Sequence, residues 1–401
     1  MSNQVRWRVA RPPRRWAGAV LLACIFLSVV LVVAYRTYLG RATTYLMMDD
    51  ILDVEWYDPA EIVMGESRAP LVRVAREDSG IAPWALDRIM AYAEEHGSCA
   101  MLVMHKGLVV EEAYWCQLEP GDRPQAMSMA KTVTALMVGI AIDEGRLRSI
   151  HDPVSSYLEE WRDDERSRIT IADLLSMRSG LRNENNPWNP FSDITLIHIG
   201  TDVPEHTFDV QAEVPPGERF DYNNVNYQVL GLLVERVFGK RYAPLLSEKL
   251  WQPLGADDAL VWLDVPGGTA KTYCCLFAQA RDWARLGWLL ARNGRLGAEH
   301  LVSESWVEAM RTPSKLEPAY GFGLWLDHPK LQGEGSAKPV PMLAKDLLLL
   351  VGQGQQRVYI IPSAELVVVR LGHERMDWDD AFIPNTLYAG TEDKVSGIRT
   401  P

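Results

Sequence analysis

Ser128 and Lys131 stand three residues apart in the run MSMAKTVTALMVGIAIDEG. If that run is a helix starting near Ser128, both side chains leave the same face. From Ala130 to Ile142 the run is apolar or small almost throughout, and Lys131 in the first turn is the exception. A helix of that polarity belongs in the core of a large domain. A lysine buried there is costly unless it is paired or its pKa falls, and the positive end of the helix dipole pushes the pKa the same way. A partly deprotonated amine beside a serine hydroxyl is one way to activate an oxygen nucleophile. The plainer assignment is a serine N-cap followed by an unrelated lysine. Serine-x-x-lysine arises by chance about once in a chain this long, so the pair needs partners elsewhere.

One candidate lies in PPGERFDYNNVNYQVLGLLVERVFGK, where Tyr222-Asn223-Asn224 precedes an amphipathic helix from Val225 to Phe238 that Gly239 ends. Asn224 is placed to cap that helix, and Tyr222 to anchor the turn before it. Both roles are compatible with catalysis. A second candidate is Gly352-Gln353-Gly354, at or near the end of an apolar β-branched strand. Glycine in a strand marks a bulge or a close approach of backbone to a ligand.

The elements that must hold these residues can be read from periodicity. Trp84, Leu86, Ile89, Met90 and Ala93 form one stripe of a helix from Pro83 to Glu95. CAMLVMHKGLVVEEAYW reads as two strands joined at Lys106-Gly107, with His105 exposed at the turn. Ile169 to Leu181 is a strand-like entry followed by a helix with Gly180 as its cap. The loop from Asn183 to Asn189 is either a pocket wall or a surface turn. Leu276 to Leu290 reads as a helix, Tyr320 to Trp325 as a strand, and Leu347 to Leu371 as two strands around Pro362-Ser363. The stretch after His373 is acidic and weakly patterned.

With 401 residues, 47% of them hydrophobic and 23% charged, the chain has ample material for a core. Its net charge of -12, with no basic tract beyond the extreme N-terminus, argues against a nucleic-acid partner. No histidine–cysteine spacing suggests zinc, and H-E-x-x-H and P-loop motifs are absent, so no metal or cofactor is implied.

Residues 1–16 carry five arginines and no acid, and 17–35 form an uncharged apolar run closed by Arg36. A run of about 19 residues can span a bilayer, and the arginines place the N-terminus in the cytoplasm. No small-x-small cleavage site follows before Arg36, which favours an uncleaved anchor over a signal peptide. The expected organisation is therefore a cytoplasmic tail (1–16), a transmembrane helix in the lipid bilayer of the inner membrane (17–35), a spacer and domain edge (36–79), a catalytic domain outside the cytoplasm (80–375) and a tail (376–401). In an oxidising compartment Cys99 and Cys116 could be bridged. Strict pairing about Lys106-Gly107 puts Cys99 opposite Tyr114, so the bridge requires a bulge. Cys274-Cys275 reads as two small buried residues rather than a disulfide.

Taken together, serine-x-x-lysine, ITIADLLSMRSGL, PPGERFDYNN and WQPLGADDA occur in an order and spacing that resembles the penicillin-recognising serine hydrolases, from about Leu86 to Leu371. The likeness is to the branch of class C β-lactamases, related esterases and 6-aminohexanoate-dimer hydrolases. It implies an α/β fold of the β-lactamase/transpeptidase type, an antiparallel sheet flanked by helices with a mostly helical insertion. It implies Ser128 as nucleophile, Lys131 as its proton-handling partner, and Tyr222 with Asn224 as the second motif. Tyr222 near a cationic lysine would have a lowered pKa. The oxyanion would take the N–H of Ser128 and one from the late strand, at Gln353 flanked by Gly352 and Gly354. Where β-lactamases carry lysine-threonine-glycine, this chain has Gly352-Gln353-Gly354, so a cationic anchor for an acidic substrate is missing there. The expected activity is hydrolysis of a small ester or amide through an acyl-enzyme. The alternatives are a cell-wall D-amino-acid peptidase or β-lactamase, and a non-catalytic binding module.

Overall fold

A computed structural model describes residues 22, 24–26, 35–47, 57–67, 70–184, 186, 189–329 and 339–396. Residues 1–16 and most of 17–35 lie outside that set, and the expected transmembrane helix with them. Among the described residues, no helix is long and apolar enough to cross a membrane. Helix α1 (Arg36–Met47) docks onto the domain through Arg41, whose buried guanidinium donates to the carbonyls of Gly200 at 3.1 Å and Asp58 at 2.9 Å.

The chain then forms β1 (Ala60–Val63), helix α2 (Pro83–Glu95) and the hairpin β2 (Ser98–His105) and β3 (Leu108–Tyr114). Helix α3 (Ala130–Asp143) opens the inserted helical region, which includes the short α4 (Ile171–Leu175) and α5 (Asn224–Phe238). Strands β4 (Ala259–Trp262) and β5 (Leu276–Phe277) lead to α6 (Ala280–Ala291). The late strands are β6 (Leu348–Gly352), β7 (Gln356–Ile361) and β8 (Leu366–Gly372), and α7 (Phe382–Ser396) follows.

The main sheet is antiparallel in the order β3-β2-β8-β7-β6, so the late strands close onto the early hairpin. On one face α6 packs through Gly287, where a Cβ would lie 2.5 Å from Val367, so only glycine lets the helix sit this close. α2 packs against β2 and α7. A smaller sheet, β1-β4-β5, pairs the segment before the domain with its middle. The expected antiparallel sheet with a helical insertion is the observed architecture.

Several local expectations need correction. Leu276–Leu290 is not one helix: Leu276 and Phe277 pair with β4, and the helix starts only at Ala280. A joint of only two residues, Ala278 and Gln279, hides the break from periodicity. Leu347–Leu371 holds three strands rather than two, because the chain turns at residues 353–355 as well as at Pro362. Tyr320–Trp325 is no continuous strand. Gly323 at φ +71° bends it, and isolated bridges join Trp325 to Tyr320 and to Leu349 on the sheet edge. His105 is 4% exposed rather than open to water, with Nδ1 2.5 Å from the carbonyl of Ser79. The described part of the stretch after His373 is structured: it supplies Asp380 to a buried ion pair and includes α7.

The cysteines divide likewise. Cys99 and Cys116 are bridged, and the required bulge exists, between Val103 and Met104, moving Ala100 opposite Tyr114. Cys274 and Cys275 are buried as expected, but they are joined to each other.

Candidate active site

The peptide leading into α3 is under tension. Met127 adopts φ +51°, a left-handed conformation unfavourable for a residue with a long side chain. It begins a single 3-10 turn, Met127–Met129, that runs directly into α3. Ser128 lies in that turn, half-buried, and Lys131 in the first turn of the helix is 1% exposed. Lys131 Nζ is 2.7 Å from Ser128 Oγ and donates to the carbonyl of Tyr273 at 2.9 Å. Nζ also lies over the rings of Tyr222 at 4.9 Å and Tyr273 at 5.7 Å. None of these neighbours carries a negative charge. Burial therefore pushes the lysine pKa well below its ordinary value.

Tyr222 reaches the same point from the other side, its ring 4.9 Å from Lys131 Nζ and its hydroxyl near enough to Ser128 to feel it electrostatically. The loop that carries it is braced by the ITIADLLSMRSGL segment. Thr170 and Asp173 form a capping box at the start of α4. Beyond α4, the Met177 and Arg178 carbonyls accept from the N–H groups of Asp221 and Gly217, both at 2.8 Å. Gly180, at φ +75°, comes so near the Val214 carbonyl that a Cβ would sit 2.0 Å from it. The Tyr222 ring stacks on Trp325 with centroids 5.9 Å apart and meets Tyr320 edge-on at 6.0 Å. Burial raises the tyrosine pKa to about 12, although the nearby Ser128 hydroxyl and the charge of Arg357 oppose this. The lowered pKa expected from a cationic neighbour is thus reversed, because desolvation of the phenol itself outweighs what favours its ionised form.

Asn223, not Asn224, caps α5, its side chain accepting from the N–H of Val225 at 3.0 Å. Asn224 is the first helical residue, and its Oδ1 is buried with no partner among the described residues. Gly352 ends β6 against the turn that carries Ser128; a Cβ there would lie 2.3 Å from the carbonyl of Ala126. Gln353 is exposed in the turn that follows, and Gly354 takes φ +71°.

Ser128, Lys131 and Tyr222, separated widely in sequence, therefore meet. Three contributors carried no sequence signal: the Tyr273 carbonyl, which is backbone, the Trp325–Tyr320 aromatic wall, and the buried pair of Arg357 with Asp380. Among the described residues, His198 with Cys274 and Cys275, and His373 with Cys99 and Cys116, cluster as metal donors would. In both clusters the cysteines are joined as disulfides and offer no thiolate.

A serine 2.7 Å from a buried lysine amine and beside the half-buried Tyr222, set between a sheet edge and a helical insertion, has the surroundings of a serine hydrolase nucleophile. Residues 86–383 match the Beta-lactamase family model, and the chain belongs to that family. It is 29% identical over 264 residues to the 6-aminohexanoate-dimer hydrolase of Paenarthrobacter ureafaciens, covering 60% of this chain and 66% of that protein. It is 28% identical over 145 residues to Protein flp of Staphylococcus aureus (strain MW2), covering 34% of this chain and 27% of that one. The chain thus spans less than two thirds of each of these relatives. A Bacillus anthracis structure named for 6-aminohexanoate-dimer hydrolase superposes with a TM-score of 0.71 at 17% identity, over 87% of this chain and 94% of that one. That likeness concerns the fold.

Proposed function

We propose that the protein hydrolyses a small ester or amide through an acyl-enzyme on Ser128. The observation that carries this is the 2.7 Å contact of Ser128 Oγ with an amine whose pKa burial lowers well below its ordinary value. Lys131 takes the serine proton as Oγ attacks the substrate carbonyl carbon. The negative charge that develops on the carbonyl oxygen meets the N–H groups of Ser128 and Gln353. Tyr222, a neutral phenol at physiological pH, relays the proton from Lys131 to the departing alcohol or amine. Water then attacks the acyl-enzyme, giving its proton back along the same route and releasing the acid and free Ser128.

Similarity to the 6-aminohexanoate-dimer hydrolase over 264 residues supports hydrolysis of a small molecule. The third motif, Gly352-Gln353-Gly354, supplies no cation for a substrate carboxylate, which disfavours a β-lactam or a cell-wall peptide. The arginines of residues 1–16 and the apolar run 17–35 support a domain anchored in the inner membrane and facing outward, where a Cys99–Cys116 bridge persists.

Burst and steady-state release from a panel of p-nitrophenyl esters, compared with nitrocefin turnover, tests the reaction. Ester turnover abolished in Ser128→Ala, with little nitrocefin hydrolysis, is the expected result; rapid nitrocefin turnover would overturn the substrate class. Protease added to intact spheroplasts should remove the domain, and protection would reverse the orientation.

A further inference from the structure

The peptide that joins Gly352 to Gln353 is held from behind by a buried cation. Arg357, the second residue of β7, is 1% exposed, a costly place for a guanidinium unless its donors are engaged. Nε and Nη2 form a two-pronged pair with Oδ1 and Oδ2 of Asp380 at 2.7 and 3.0 Å. Nη1 donates to the carbonyls of Gly352 at 2.9 Å and Gln356 at 3.2 Å. Asp380 is fixed in turn by the Tyr359 hydroxyl and the Trp378 indole N–H, each at 3.0 Å. Burial works against the Asp380 carboxylate, yet Arg357 and these bonds hold its pKa below the ordinary range.

With these nitrogens committed inward, Arg357 is no anchor for a substrate carboxylate. It does set the direction of one peptide. In a trans peptide the C=O and N–H point opposite ways, so a bond that fixes the Gly352 carbonyl also fixes the N–H of Gln353. A charged donor on that carbonyl polarises the peptide and strengthens its N–H as a donor. Gly352 itself is pressed against Ala126, two residues before Ser128, so the strand end and the serine turn form one rigid unit. The same guanidinium lies close enough to act on the charge of the Tyr222 hydroxyl.

We propose that Arg357, locked by Asp380, is a positioning residue for acyl transfer: it orients and polarises the Gly352–Gln353 peptide so that the Gln353 N–H meets the oxyanion. This rests on the acyl-enzyme reading of Ser128. The segment after β8, which supplies Asp380, is then part of the catalytic apparatus rather than an appendage.

The test compares Arg357→Lys, Arg357→Met and Ser128→Ala in the full chain, by steady-state hydrolysis of one p-nitrophenyl ester and by thermal unfolding. Lysine keeps the charge and can occupy the cavity, but its single ammonium cannot pair with both oxygens of Asp380 and hold the Gly352 carbonyl. The expected result for Arg357→Lys is a kcat lowered roughly ten- to hundredfold with KM within about threefold. Arg357→Met should lose roughly a hundredfold or more, in the range seen when one oxyanion donor is removed. A merely structural residue would lower the unfolding temperature and leave kcat of the folded fraction unchanged. If the methionine variant does not fold, the lysine variant decides. A folded Arg357→Lys with wild-type kcat, alongside an inactive Ser128→Ala, overturns this proposal alone. Full turnover in Ser128→Ala overturns the acyl-enzyme reading and this proposal with it.

Discussion

Lys131 Nζ sits between Ser128 Oγ at 2.7 Å and the Tyr273 carbonyl at 2.9 Å, with no carboxylate partner among the described residues. A carbonyl can hold an amine in place without stabilising its charge as a carboxylate would. The lysine is thereby aimed at the serine while burial lowers its pKa.

Lys131→Ala should therefore lose roughly a hundred- to ten-thousandfold in acylation rate, the span usual for a general base. Lys131→Arg should be no better, because a guanidinium cannot accept the proton. Lys131→Met should unfold at a temperature equal to or above wild type, since it removes a buried amine and keeps the volume. Labelling by a fluorophosphonate probe, followed with time, measures the first two, and a thermal melt the third. Wild-type labelling in Lys131→Ala would remove the lysine from the mechanism.

The pH dependence separates lysine from tyrosine as the base. The active form of Lys131 is neutral, so kcat/KM should fall tenfold per pH unit as acid protonates it, and level off above its lowered pKa. A Tyr222 phenolate as base would instead make the rate climb toward pH 12, where burial has placed that group. Above the lysine's lowered pKa a plateau is expected, with no further climb toward pH 12. A rate still rising there would exchange the two roles.

Legibility in the sequence follows whether a feature depends on residue type or on where the chain happens to be buried. Ser128, Lys131 and Tyr222 were visible because their side-chain chemistry is itself the signal. The sheet was visible because Val367, Val368 and Val369 have few alternatives to a strand. The tyrosine pKa was misjudged for a physical reason. Proximity to Lys131 can be read from the motifs, but the depth that lowers the lysine pKa also penalises the phenolate. Asp380 was hidden inside the run HERMDWDD, which by composition is a solvated surface. Only the placement of Arg357 on the inner face of β7 turns one of those acids inward. The strand at Leu276–Phe277 was hidden because its apolar residues run on into the face of α6.

A second buried carboxylate makes stability depend on pH. Asp282, at the start of α6, is 0% exposed; its Oδ1 accepts from the Asp257 N–H at 3.0 Å and its Oδ2 is unpartnered among the described residues. Burial raises its pKa to about 7 from 3.8. The folded state then binds the proton more tightly than the unfolded one, so this contribution is complete below about pH 4 and is lost as pH rises through 7. Asp282→Asn cannot ionise and should flatten that decline, on the order of 2 kcal/mol between pH 5 and pH 8. Urea unfolding of both proteins at the two pH values measures it. Parallel losses in mutant and wild type would show that Asp282 is solvated in the folded state.

The junction between β6 and the serine turn can be probed by one methyl group. At Gly352 a Cβ would meet the Ala126 carbonyl at 2.3 Å and the Gln356 Cβ at 2.9 Å, and neither backbone nor Cβ can swing aside as a long side chain would. In Gly352→Ala the end of β6 must therefore move away from the turn that carries Ser128. The strand remains paired with β7 along Leu348–Val351, so the expected stability loss is modest, about 1–3 kcal/mol for local overpacking. Activity should suffer more, because a shift near 1 Å in a donor displaces it from the oxyanion and costs about a hundredfold. Crystallography of the variant alongside kcat would connect the two. A folded Gly352→Ala with wild-type turnover would show that the oxyanion takes its second donor from elsewhere in the site.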